Sequence, residues 1–166
     1  MTEAWAGISQ ELNHRILECV YLGDKKLYRR LVNDLSAQLR KRTKVILETP
    51  RSGRHQLFQP LLTLPNVEVL AQNLAIHWLS HERSDMVTGF LDHLGIEHDG
   101  HGFVDEFPDD LPAKKLKSAV DQMKKDFPEE EIWFYLRIFS SLTGTTWENL
   151  EKLVPPLPDE ESDSQE

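Results

Sequence analysis

Apolar residues recur at spacings of three and four along the first forty positions, which is the period of amphipathic helices. One stripe predicts a helix over 3–21 that ends at Gly23, and a second predicts a helix over 24–42 that begins on an Asp24 N-cap. The stripes consist of Trp5, Ile8, Leu12 and Ile16 in the first helix and of Leu27, Leu31, Leu35 and Leu39 in the second. Because the connection is so short, we expect these helices to pack as an antiparallel hairpin.

The helical pattern is interrupted after residue 42 and resumes near residue 66. Helix-breaking residues over 43–65 predict a loop there, with a short helical turn near 56–62. A third helix is predicted over 66–82, with one apolar face made by Val67, Leu70, Ala71, Leu74 and Trp78. Since Val69 and Ile76 point away from that face, we expect this helix to be central and buried on two sides.

Further helices are predicted in the second half of the chain. Ser84 is the expected N-cap of the first, and Pro112 and Pro128 stand where a first helical turn tolerates proline. A capping-box pattern at 145–148 starts the last helix. The predicted ranges are 85–94, 112–126, 128–142 and 145 to about 153.

These elements predict an all-α fold. We expect a single compact domain of six or seven helices over 1–154, orthogonal or bundle-like in its packing. Asp99-Gly100 is a tight-turn signal and predicts a minor hairpin near 96–104. The segment 155–166 begins with prolines and ends with five acidic residues in eight, so we expect a disordered acidic tail.

The composition favours a soluble globular protein. The 166 residues suit one domain, and four Trp, seven Phe and three Tyr supply large core side chains. A single cysteine, Cys19, excludes an internal disulfide and a cysteine-based zinc finger. The chain shows no signal-peptide pattern, and its longest aromatic–aliphatic run falls far short of the roughly 20 residues of a membrane span. We therefore expect a cytoplasmic protein without a membrane span.

Charge is segregated along the sequence. Residues 24–54 contain ten basic and three acidic residues and carry +7, whereas the remainder carries −16, within a formal net charge of −9. On the wheel of the second predicted helix, one face presents cations that suit a phosphate backbone or another anionic partner. Its members are Lys25, Arg29, Arg30, Arg40 and Lys41. An ordinary solvated helix face and neutralisation by the acidic segments are the alternatives, and the net negative charge counts against nucleic acid.

Histidines concentrate in the middle of the chain. His77, His81 and Asp85 are spaced i, i+4 and i+8, and spacing of four stacks side chains one turn apart, as in helical metal sites. Trp78 replaces the glutamate that a metalloprotease motif requires at that position. Partly buried histidines with hydrogen-bond partners explain the same spacing.

No motif indicates catalysis or a cofactor. Nucleotide-binding glycine patterns and a nucleophile-elbow serine are absent from the sequence. Paired carboxylates occur in loops and first helical turns, where they favourably oppose the helix dipole. The sequence assigns no catalytic residue and favours a non-catalytic protein-interaction or scaffolding domain with a protein partner. Nucleic-acid association through 25–54, and a metal-binding protein or enzyme built on the histidines, are the alternatives.

Overall fold

The structure, a computed structural model, describes residues 1–157 of the chain. The described residues are 73% helical and contain ten α-helices and no strand, which confirms the predicted all-α class. The helices are α1 (Thr2–Ala6), α2 (Gln10–Gly23), α3 (Lys25–Leu39), α4 (Thr43–Glu48), α5 (Arg51–Leu62), α6 (Glu68–Glu82), α7 (Ser84–Leu94), α8 (Ala113–Asp126), α9 (Glu129–Thr143) and α10 (Glu148–Glu151), with a 3-10 turn at Pro65–Val67.

The helices belong to two compact units. The first unit spans Met1–Glu82 and contains α1 to α6, and the second begins at Arg83 and contains α7 to α10. That 1–154 behaves as a single domain stays a prediction. From residue 158 onward, the predicted tail 155–166 lies outside the described residues.

Helix α2 organises the first unit, because it packs against α3, α5 and α6. Its stripe residues Leu12 and Ile16 are buried, as are Trp5 and Ile8 before it. Asp24 caps α3 as predicted, since its carboxylate accepts hydrogen bonds from the backbone N–H groups of Lys26 and Leu27 at 3.0 and 2.9 Å.

The predicted first helix over 3–21 is divided in two. The backbone leaves the helix at Gly7, and Ser9 caps a new one by accepting the N–H of Leu12 at 3.1 Å. The apolar spacing runs across this break undisturbed, so it indicated burial and concealed the boundary.

The segment 43–65 is helical, so the predicted loop is wrong. Helices α4 and α5 cover most of it, and together with the division of the first predicted helix into α1 and α2 they raise the number of helices above the predicted six or seven. Pro50 is the N-cap of α5 and therefore starts a helix instead of ending one. Pro60 lies inside α5 only two residues before its end at Leu62, so the one hydrogen bond that its missing N–H removes lies in the last turn of the helix.

Helix α6 buries one wide face rather than two sides. Leu70, Leu74 and Trp78 are buried, whereas Val69 and Ile76 are 62% and 43% exposed. The prediction that these two residues face a second buried side is therefore wrong. The helix is nevertheless central within the first unit, since it contacts α1, α2, α3 and α5.

In the second unit, α8 packs against α7, α9 and α10. An aromatic cluster of Phe107, Phe139 and Trp147 is held in place by the Trp147 indole N–H, which donates to the carbonyl of Pro108 at 2.8 Å. Trp147 is the N-cap of α10 and no side chain caps this helix, so the predicted capping box does not form.

The predicted hairpin near 96–104 is replaced by a loop. The Asp99 carboxylate accepts the backbone N–H groups of His101 and Phe103 at 2.8 and 3.0 Å, which takes donors that a strand ladder would need. Gly102 adopts a φ of 92°, which is incompatible with an extended strand at that position. Asp99-Gly100 does turn the chain, but no strand follows in the described residues.

Candidate functional site

The first unit carries a groove bounded by the end of α2 and by α3, α4 and α5, which we call the basic groove. Its volume is about 800 Å³, within the usual range of protein binding pockets. The lining residues are Tyr21, Leu22, Lys25, Tyr28, Arg29, Val32, Asn33, Thr43, Leu47 and Arg54. Three of these residues are cationic and none is acidic.

Exposed apolar side chains accompany the cations of the basic groove. Leu22 is 70% exposed and Leu47 is 50% exposed, so both leave apolar surface in contact with water. Arg54 is held in place, because its Nε–H donates to the carbonyl of Thr49 at 3.1 Å and its guanidinium lies 5.9 Å from the centroid of the Tyr28 ring. The groove therefore combines apolar surface with positive charge, part of it on the fixed Arg54 and part on the exposed Lys25 and Arg29.

The structure separates the five predicted basic residues. Lys25 and Arg29 line the basic groove, and Arg30 is exposed on α3 without lining it. Because α3 ends at Leu39, Arg40 and Lys41 lie beyond the helix, and Arg40 adopts a left-handed conformation with φ of 50°. The predicted basic face is thus shorter than its sequence pattern indicated.

The predicted histidine ligands occupy α6. The rings of His77 and His81 stack with centroids 4.1 Å apart, and Nδ1 of His81 lies 2.8 Å from the carbonyl oxygen of His77. Burial lowers the pKa of His77. Asp85 belongs to α7, where its carboxylate accepts the N–H of Met86 at 2.9 Å. Metal binding by His77, His81 and Asp85 stays a prediction.

His77 also explains Gly23 at the end of α2. A Cβ atom at Gly23 would lie 2.6 Å from Nε2 of His77, which is closer than nonbonded atoms approach. A larger residue at this position would therefore require the His77 side chain to move.

A different group of potential ligands lies inside the first unit, and sequence reasoning missed it. His14 and Glu18 are one turn apart on α2, and His55 comes from α5; one ligand atom of each lies within 4.8 Å of the others. The two Nδ1 atoms are 2.8 Å apart, and Nε2 of His55 lies 3.1 Å from the hydroxyl of Tyr28. The spacing of His14 and Glu18 was visible in the sequence, but His55 lay in the predicted loop.

Burial sets the protonation of His55 and of its neighbour Tyr28. His55 is completely buried, and that burial, followed by the nearby charges of His14, Arg54 and Arg51, lowers its pKa to about 3. Its imidazole is therefore neutral near pH 7. Burial likewise raises the pKa of Tyr28 to about 12, so its hydroxyl stays protonated beside the ring.

The second unit has a concavity of opposite character, with a volume of about 850 Å³. It is formed by the loop after α7, and five of its lining residues are acidic. They are Glu97, Asp99, Asp105, Glu106 and Asp109. Backbone hydrogen bonds from His101 and Phe103 lower the pKa of Asp99. This surface repels the anions that the basic groove attracts.

No protein-family model, curated protein or solved structure significantly matches the chain. Within residues 1–157, no helix combines the length and the apolar character that a bilayer crossing requires.

Proposed function

We propose that the chain is a non-catalytic protein-interaction domain whose basic groove binds an acidic, amphipathic helix of a partner protein. The observation that carries this proposal is the exposure of Leu22 and Leu47 among Lys25, Arg29 and Arg54. A helix in such a groove would bury its apolar face on the leucines and direct its carboxylates at the cations.

The apolar part of the groove supplies affinity. Leu22 is 70% exposed and Leu47 is 50% exposed. Covering each of them with a partner contributes about 1 kcal/mol to the binding free energy. The cations add steering and register, because rim charges act mainly on the rate of association and on specificity. Acidic peptides are favoured over neutral ones for that reason.

Nucleic acid is the competing ligand for the same cations. A phosphate backbone would use Lys25 and Arg29 but would have no use for exposed leucines. The formal net charge of −9 also repels an anion at long range, and it repels a polyanion more strongly than a short acidic peptide, which carries fewer charges. These two points support the peptide over the nucleic acid.

We place this function in the cytoplasm. Cys19 is free, and a disulfide-free chain is typical of reducing compartments. Cell fractionation with an antibody against the chain tests this placement.

The proposal is tested with a library of helical peptides that carry leucines at spacings of three and four and glutamates between them. We expect the best member to bind the wild-type chain, and Arg29→Glu to weaken its Kd at least tenfold, since the substitution reverses a charge in the groove. Arg30→Glu is the matched control on the same helix outside the groove, and we expect less than a threefold change. Fluorescence anisotropy measures the Kd values.

The same binding assay is repeated with leucine variants of the chain and with nucleic-acid probes. Leu47→Ala should weaken peptide binding several-fold, whereas Leu57→Ala, exposed but outside the groove, should not. If every peptide binds more weakly than roughly 1 mM, the proposal is wrong. Salt-dependent binding of duplex or single-stranded probes that Arg29→Glu and Arg30→Glu weaken equally would favour nucleic acid instead.

A further inference from the structure

The group of His14, Glu18 and His55 has no role in groove binding and calls for its own explanation. His55 is completely buried, and Glu18 keeps a carboxylate oxygen buried without a hydrogen bond, its charge met by an ion pair with Arg51 at 3.3 Å. Buried polar groups are costly unless they are hydrogen-bonded or ion-paired, and both ring nitrogens of His55 have a partner, in His14 and in Tyr28. Two imidazoles and one carboxylate that converge within 4.8 Å form a set of metal ligands.

We propose that His14, Glu18 and His55 bind one divalent transition-metal ion of the zinc class. Two histidines and one glutamate are a known ligand set for Zn²⁺ that leaves a fourth position open, and imidazole also suits Fe²⁺, Co²⁺ and Ni²⁺. Ca²⁺ and Mg²⁺ are disfavoured because they prefer oxygen ligands throughout.

Small side-chain movements would complete the coordination. Zinc bonds to nitrogen and oxygen of about 2.1 Å place tetrahedral ligand atoms about 3.3 Å apart. The Nδ1 atoms of His14 and His55 are 2.8 Å apart and would separate by about half an ångström. The Glu18 carboxylate, on the same helix face as His14, would approach by rotation of its side chain.

The surroundings of His55 position it for this role. The Tyr28 hydroxyl, 3.1 Å from Nε2, can accept the Nε2–H and so leave the Nδ1 lone pair free toward His14. The side-chain amide of Asn13 donates to the carbonyl of His55 at 2.9 Å, which fixes α5 against α2 at this residue. Metal ligands usually have such outer hydrogen bonds.

The ion would join two helices and remain accessible. His14 and Glu18 are on α2 and His55 is on α5, so the bound state bridges elements that only the folded first unit brings together. The Glu18 side chain is 28% exposed, which leaves a route for the ion and for a water molecule at the fourth position. Binding should therefore stabilise the fold.

The test titrates the purified, chelator-treated full chain with Zn²⁺ by calorimetry. We expect one ion per chain and a melting temperature that rises by about 5 °C or more in excess Zn²⁺ and falls again with a chelator. Glu18→Gln removes the anionic ligand and should weaken the affinity at least tenfold. Glu11→Gln, an exposed position on the same helix, is the matched control and should leave the affinity unchanged.

Three outcomes would overturn the proposal: no stoichiometric binding by the wild-type chain, equal affinity of Glu18→Gln and wild type, or loss of binding in His81→Gln with retention in Glu18→Gln. The last result would indicate that the metal binds instead at the predicted ligands His77, His81 and Asp85. His14→Gln removes a second ligand at a partly exposed position and should also weaken the affinity. Circular dichroism of each metal-free variant checks that the variant is folded. The proposed metal site does not depend on the basic groove. We therefore expect the Arg29→Glu variant to bind Zn²⁺ like the wild type.

Discussion

At the scale of single residues, Cys19 shows how burial controls chemistry in this chain. The thiol lies on α2, and burial, followed by the negative charge of Glu82, raises its pKa to about 11. Near pH 8 the folded protein therefore has very little thiolate, which is the reactive form.

This raised pKa predicts that the Cys19 thiol reacts slowly in the folded protein. We expect a disulfide reagent at pH 8 to label Cys19 at least ~100-fold more slowly in the native chain than in denaturant, because both access and ionisation are suppressed. The stability should also fall as the pH rises from about 9 to about 11, since the unfolded chain ionises its thiol first. Equal labelling rates with and without denaturant would contradict the assigned burial.

Residue patterns predicted burial better than they predicted partners. Leu12, Leu74 and Trp78 are buried as their spacing required. The pairing of His14 with His55 spans 41 positions, and it depends on where α5 packs. Sequence spacing reports neighbours on one helix and carries no information about which helix lies opposite.

At the scale of helices, one buried ion pair fastens α9 to the start of α7. Glu131 is buried on α9, and both its oxygens are bonded by Arg83, the N-cap of α7; Arg83 Nη2 donates to Oε1 at 3.1 Å. The bidentate geometry offsets the cost of removing both charges from water.

Removing one partner of this pair should be costly. We expect Arg83→Met to destabilise the chain by about 3 kcal/mol, because it removes the bidentate partner of the buried Glu131 carboxylate. Lys152→Ala, which breaks the exposed ion pair with Glu148, is the control and should cost less than about 0.5 kcal/mol. Urea denaturation measures both, and a loss as small as that of the control would show that the pair is not a stabilising contact.

Helix boundaries were the part of the fold that the sequence predicted least well. The prediction of the Asp24 cap was correct because a carboxylate next to a helix start accepts the N–H groups of the first turn, which have no partner within the helix. Pro50 and Pro60 were misinterpreted because a proline can begin a helix or stand near its end, and its position depends on tertiary packing.

At the scale of the whole chain, charge follows the division into units. The basic groove lies in the first unit, and the acidic concavity lies in the second. The contrast between +7 over 24–54 and −16 elsewhere was evident from the sequence. The sequence could not show that Lys25 and Arg29 line the basic groove while Arg30, Arg40 and Lys41 do not, because that depends on where α3 ends and α4 packs.

The location of peptide binding is the central claim, and amide chemical-shift mapping tests it most directly. The best acidic amphipathic peptide is titrated into the isotope-labelled chain. We expect the largest shifts at amides around Leu22–Arg29 and Thr43–Leu47, with little change around the acidic loop 97–109. Largest shifts in that loop, or shifts spread evenly over the chain, would contradict the assignment of the basic groove as the binding site.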